Sequence, residues 1–95
     1  MQKDQHFMTD LEAIRGIVSA SEIKRNETVL EIGTGKGFLT RELAKRAKVI
    51  AIEIDKALEK DLKKNLQGLE AELIFGNALK ILKKEEIRFD KIVSN

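Results

Sequence analysis

The sequence predicts an α/β fold, a parallel sheet with helices on both faces, and three observations carry that prediction. Short apolar runs rich in β-branched residues, over 28–32, 48–53, 71–75 and 89–95, alternate with segments whose apolar residues recur every three or four positions. Strands separated by helices pair in parallel, because each crossover carries the chain from the end of one strand back to the edge where that strand began. The first run breaks into glycines at alternate positions, Gly33, Gly35 and Gly37, a strand, tight loop and helix in sequence. The second run ends in Glu53, 22 residues after Glu31, close to the roughly 20-residue offset at which a carboxylate ending a second strand reaches a ribose.

Taken in order, Thr9 or Asp10 caps a first amphipathic helix whose Leu11, Ile14, Ile17 and Val18 recur at helical spacing as far as Ala20. A loop over 21–27 leads into the first strand, 28–32, and the helix over 38–47 makes a right-handed crossover to the second strand, 48–53. Asp55 caps the next helix, which carries Ala57, Leu58, Leu62 and Leu66 on one face and ends at Gln67-Gly68. The third strand is 71–75. Leu79, Leu82 and Ile87 mark a short helix, and 89–95 forms the fourth strand. The chain stops there, so further strands are expected to cover that edge, since a bare apolar edge invites aggregation.

Ligands of such sheets lie at the carboxyl ends of the strands. Gly33, Glu53, Asn77 and Asn95 all stand at or just beyond the carboxyl end of a strand. Alternate glycines let the chain turn sharply and let a ligand approach the backbone without meeting a Cβ, while the next helix directs its free N–H groups at that ligand. Two phosphate motifs are excluded by spacing: G-x-G-x-x-G of dinucleotide folds, and the P-loop, which needs Ser or Thr after a final Gly-Lys. Here the pattern is Glu31-x-Gly33-x-Gly35-x-Gly37, with Lys36 between glycines.

Bulk composition narrows the function further. Ninety-five residues make at most one domain, burying roughly 60–65% of the unfolded surface. With 42% hydrophobic and 36% charged residues the chain is globular rather than disordered. A net charge of +2 from 18 basic and 16 acidic residues permits a nucleic-acid partner without requiring one. The absence of cysteine excludes disulfides and thiolate metal sites, and a single histidine argues against zinc, so no metal is expected. No apolar run is long enough for a membrane span or a signal peptide, which points to a cytoplasmic protein.

The acid two before the first of three alternate glycines resembles motif I of the Rossmann-like class I S-adenosyl-L-methionine-dependent methyltransferases. Taken with four other stretches, the whole chain resembles the N-terminal part of the ribosomal RNA adenine N6-dimethyltransferases, which include the small-subunit dimethyladenosine transferases and the erythromycin-resistance methylases. Asp4-Gln5-His6-Phe7-Met8 resembles the family's Gly-Gln-Asn-Phe-Leu start, and Ile52-Glu53-Ile54-Asp55 its motif II. Gly76-Asn77-Ala78-Leu79 resembles Gly-Asp-Ala-Leu, and Val93-Ser94-Asn95 matches the lead-in to the catalytic Asn-Leu/Ile-Pro-Tyr/Phe.

That resemblance implies S-adenosyl-L-methionine as cofactor and ribosomal RNA, or the pre-ribosomal small subunit, as partner of a monomer. It assigns Gln5, His6 and Met8 to the methionine end of the cofactor, Gly33 and Gly35 to its amino-acid part, and Glu53 to the ribose. Ile54 would pack on the adenine face, Asn77 with the Ala78 backbone would read the adenine edge, and Asn95 would stand beside the transferring methyl as the catalytic residue. Asn77 replaces the family's aspartate, and a neutral acceptor makes a weaker hydrogen bond than a charged one. From the residues alone, His6 equally suits a surface position, Phe7 and Met8 a core contact, and Asn77 a helix cap. Three other classes fit parts of the pattern: a methyltransferase of proteins or small molecules, a nicotinamide-binding domain, and a non-catalytic RNA-binding scaffold.

Overall fold

The computed structural model describes residues 10–94. Asp10 begins the first helix, α1 (Leu11–Ala20): its Oδ1 accepts from the N–H groups of Glu12 at 3.0 Å and Ala13 at 3.4 Å, a cap worth about 1 kcal/mol. The helix buries Ile14 and Val18, one turn apart. Leu11, on the same predicted stripe, is instead 41% exposed, because it lies in the first turn beyond the edge of the core.

Four strands, β1 (Thr28–Ile32), β2 (Lys48–Glu53), β3 (Ala71–Phe75) and β4 (Lys91–Ser94), form one parallel sheet in the order β3-β2-β1-β4. Strand β1, one of the two inner strands, therefore pairs with a neighbour close in sequence, Ile32 beside Ile52, and with one far away, Ile32 beside Ser94. Helix α2 (Phe38–Ala44) joins β1 to β2, α3 (Glu59–Asn65) joins β2 to β3, and α4 (Ala78–Lys84) follows β3.

Two apolar layers sandwich the sheet, as expected of helices on both faces. On one face, Val29, Val49 and Ala51 pack with Ile14 and Val18 of α1 and with Leu39 and Leu43 of α2. On the other, Leu30, Ile50 and Ile52 pack with Ala78, Ile81 and Leu82 of α4 and with Ile87. Each fully buried aliphatic side chain contributes about 1.5–3 kcal/mol.

Several element ends differ from the sequence-based expectation. The helix expected over 38–47 ends at Ala44, with Lys45 as C-cap, since the chain must turn at once to enter β2 at Lys48. Asp55 does cap, accepting from the Ala57 N–H at 3.0 Å, but it opens a 3-10 turn, Lys56–Leu58, before α3 begins. The fourth strand starts at Lys91 rather than at 89, because Asp90 takes its place in a bracket: its N–H donates to the Thr28 carbonyl and its carboxylate accepts from the Thr28 N–H, both at 2.8 Å. Leu79, read as an inward residue of α4, is 72% exposed, while Ile87 packs inward from beyond the helix end.

The link between the glycine loop and α3 is tight. Gly37 has φ +92°, and a Cβ there would lie 2.8 Å from Cδ2 of the fully buried Leu62. Gly37→Ala therefore combines left-handed backbone strain with a core clash, and chemical denaturation should show a loss of about 2–4 kcal/mol with the far-UV spectrum retained.

Candidate functional site

At the carboxyl edge of the sheet the loop between β1 and α2 holds three glycines with positive φ: Gly33 at 82°, Gly35 at 57° and Gly37 at 92°. Gly33 extends the ladder by donating to the Ile52 carbonyl at 2.9 Å, and Gly37 closes a turn by donating to the Thr34 carbonyl at 3.0 Å. The side-chain amide of Asn65, on α3, donates to the Lys36 carbonyl at 2.8 Å. The loop is thus tied to β2 on one side and to α3 on the other.

Glu53, at the end of β2, reaches into that loop and is 6% exposed. Its Oε1 accepts from the Thr34 N–H at 2.8 Å, the Thr34 hydroxyl at 3.1 Å and the Gly35 N–H at 3.1 Å, while Oε2 accepts from the Asp55 N–H at 2.9 Å. A carboxylate oxygen has two lone pairs. Oε1 is therefore saturated, and Oε2 has one lone pair left for a ligand hydroxyl.

Glu31 lies wholly inside the protein, on β1 two residues before Gly33. Its Oε1 accepts from the hydroxyl of Thr40 on α2, and its Oε2 has no partner among the described residues. Burial pushes the Glu31 carboxyl up, the Thr40 hydrogen bond pulls it down, and the nearby Glu53 carboxylate adds to the rise, for a pKa of about 7. An unpartnered carboxylate oxygen in the interior costs several kcal/mol when charged.

Asn77 follows β3 on the same edge. Its Oδ1 accepts from the Lys80 N–H at 3.1 Å and so caps α4, the role that the residue type alone allowed. That bond leaves the amide nitrogen as a donor for a ligand. Ala78 is the first residue of α4, partly buried against the sheet. Ile54, directly after Glu53, stands 71% exposed, an apolar side chain in solvent beside the loop.

The structure therefore brings Gly33, Gly35, Glu53, Ile54, Asn77 and Ala78 to one edge of the sheet. Gln5, His6, Met8 and Asn95 lie outside the described residues. Sequence reasoning did not select Thr34, Thr40 and Asn65, and gave Glu31 only its motif position. For Thr40 the signal was present: a hydroxyl on the buried stripe of α2, next to Leu39 and Leu43, needs a polar partner in the core.

A glycine loop after the first strand, an acid after the second, and a strand order that reverses beside β1 define a Rossmann-like class I methyltransferase fold. Solved structures agree: a dimethyladenosine transferase from Plasmodium falciparum matches 88% of this chain and 31% of its own with a TM-score of 0.75 at 35% identity. The 23S rRNA methyltransferase ErmE matches 74% of this chain and 30% of its own with a TM-score of 0.67 at 40% identity. A family model described as ribosomal RNA adenine dimethylase matches residues 1–92, and the chain belongs to that family. The probable ribosomal RNA small subunit methyltransferase A of Methanosarcina mazei is 49% identical over 94 residues, covering 97% of this chain and 34% of that relative. The chain spans about a third of the length of the curated relatives it matches.

The Glu31 carboxyl gives the folded state a pH signature. Its raised pKa means that the folded protein binds more protons than the unfolded one between about pH 4.5 and 7, so stability falls as pH rises through that window. The fall is about 3 kcal/mol for a shift of this size. Urea unfolding of the ligand-free chain at pH 5 and pH 8 should show this loss, and Glu31→Gln should flatten it. An equal pH dependence in the variant would assign the effect to another group.

Proposed function

We propose that this chain supplies the S-adenosyl-L-methionine-binding part of an enzyme that dimethylates the N6 of adenine in ribosomal RNA of the small subunit. Residues 1–95 then form the N-terminal part of one methyltransferase domain. Membership of the adenine dimethylase family supports the reading, and the observation that carries it is the convergence of the glycine loop, Glu53 and Asn77 on one edge of the sheet. The exposed Ile92, 54% accessible on β4, fits continuation of the sheet in a longer chain.

The residues present fit the cofactor. Glu53 would accept a ribose hydroxyl on the free lone pair of Oε2, and a second hydroxyl would displace one loop donor from Oε1. Gly33 and Gly35 would keep side chains away from the amino-acid part, and the family resemblance gives Gln5, His6 and Met8, which lie outside the described residues, to the methionine end. The orphaned Oε2 of Glu31, beneath this loop, is suited to the charge of an ammonium. Exposed Ile54 offers an apolar face to the adenine ring, while the Asn77 amide and the Ala78 backbone border its edge.

When bound, the cofactor supplies a sulfonium methyl that leaves by in-line displacement. The chain's part in the reaction is positioning and exclusion of water. Asn95 would accept hydrogen bonds from the adenine N6 amino group through its side-chain oxygen and aim the nitrogen lone pair at the methyl. The target base must leave its stack and be held against an aromatic ring. In the family that ring follows the asparagine, so it would come from residues after Asn95. No described helix is long and apolar enough to cross a membrane.

Two measurements test the proposal. Calorimetric titration with S-adenosylhomocysteine should show binding, titration with NAD should not, and Glu53→Ala should weaken the former by about 10- to 100-fold, the worth of charge-assisted hydrogen bonds. Binding of NAD in place of the homocysteine adduct would sink the cofactor assignment. Separately, the 95-residue chain should transfer no tritiated methyl to immature small subunits, because the base-stacking ring is not part of it. Measurable transfer would show that the catalytic constellation is complete within these residues.

A further inference from the structure

A hollow of about 310 Å³ opens at the amino edge of the sheet, the end opposite the glycine loop. The turn before β1 contributes Arg25 and Asn26, the exit of α2 contributes Lys45 and Arg46, Lys48 begins β2, and Glu70 precedes β3. Four cations and two acids line it, so this one hollow carries an excess of positive charge equal to the whole chain's net +2. Glu27, one of the acids, is already paired with Lys91 at 3.3 Å, and Lys45 with Glu42 at 3.0 Å. Among the described residues Arg25, Arg46 and Lys48 form no ion pair, and all three are exposed.

We propose that this hollow is a second RNA contact, a seat for backbone phosphates of the same structured RNA whose adenine is presented at the carboxyl edge. The inference rests on the proposed RNA substrate. Concentrated cations without carboxylate partners are costly to one another, and a bound polyanion that releases its counterions relieves that repulsion. Two guanidinium groups match phosphate oxygens in paired geometry, and the Asn26 amide and Thr28 hydroxyl are of the type that adds neutral donors. A protein partner is disfavoured by the lining itself: among the described residues its apolar members are Ala44 and Ala47, with no aromatic or large aliphatic side chain to form the core of a protein interface. The five residues of β1 place the hollow about 16 Å from the glycine loop. One flipped nucleotide cannot reach both. The contact would instead be made by phosphates flanking the target, fixing how the RNA lies on the domain without reading its sequence.

The test is fluorescence anisotropy of a short labelled RNA hairpin carrying a loop adenine, titrated with the chain over a range of salt concentrations. Arg25→Glu with Arg46→Glu should weaken binding by at least about tenfold and reduce the slope of log K against log salt by about 2. Glu70→Lys should tighten binding and steepen that slope. Lys83→Glu with Lys84→Glu on α4 makes the same change in net charge elsewhere and should have a clearly smaller effect. S-adenosylhomocysteine affinity should stay constant in all three variants, which also shows that they fold. Equal losses for the two charge reversals, or no loss for the first, would overturn the second contact and leave the cofactor reading intact. Loss of homocysteine-adduct binding in the parent chain would strike the cofactor reading alone, since the RNA comparison does not depend on it.

Discussion

One carboxylate holds the carboxyl edge of this domain together. Glu53 belongs to β2, but three of the four donors it accepts belong to the loop that follows β1. Such a loop, with three glycines at positive φ, has little conformational preference of its own. Four hydrogen bonds to a charged acceptor nearly out of solvent give it one shape. The same geometry links the two strand ends, so a change in the register of β2 against β1 would also misplace the loop.

Around that point the chain balances two opposed demands. The sheet needs apolar residues on both faces, and the two hydrophobic layers supply them. The carboxyl edge of the same sheet is built from polar groups, and Glu31 brings a carboxyl into the interior. Thr40 offsets part of the cost of burying it, and the carboxyl meets the remainder by holding its proton more tightly. The charge on this interior carboxyl therefore depends on pH. Asn65 and Leu62 complete the support from α3, one by hydrogen bond and one by packing.

Much of this was legible in the sequence. Three of the four strands carry the bounds that their apolar runs imply, and Asp10, Asp55 and Asn77 all cap as their type allows, because these features depend on neighbours a few positions away. Features set by distant residues were not legible. The stop of α2 at Ala44 depends on where β2 must begin. The late start of β4 depends on the Asp90 bracket to Thr28, 62 residues away. The inward reach of Glu53 is a contact across 18 to 19 residues, formed only because parallel strands end side by side. A carboxylate at a strand end looks the same in the sequence whether it faces solvent, a ligand or a loop. Leu79 follows the helical period, yet solvent holds it, since period marks a stripe but not how far the core extends along it.

The placement of β4 also bears on how the domain comes into being on the ribosome. Chain emerging from the exit tunnel can assemble β1, α2, β2, α3 and β3 from neighbouring segments, each closing a short loop. The other side of β1 must wait for Lys91–Ser94, which arrive more than 50 residues after it. Without that partner β1 would be an edge strand, with unpaired N–H and C=O groups open to any extended segment. Closing that side is the longest-range pairing in the described sheet, and contacts between distant segments are the kind that slow folding. One side of β1 thus depends on a partner more than 50 residues further along the chain, the longest wait of any pairing in the described sheet.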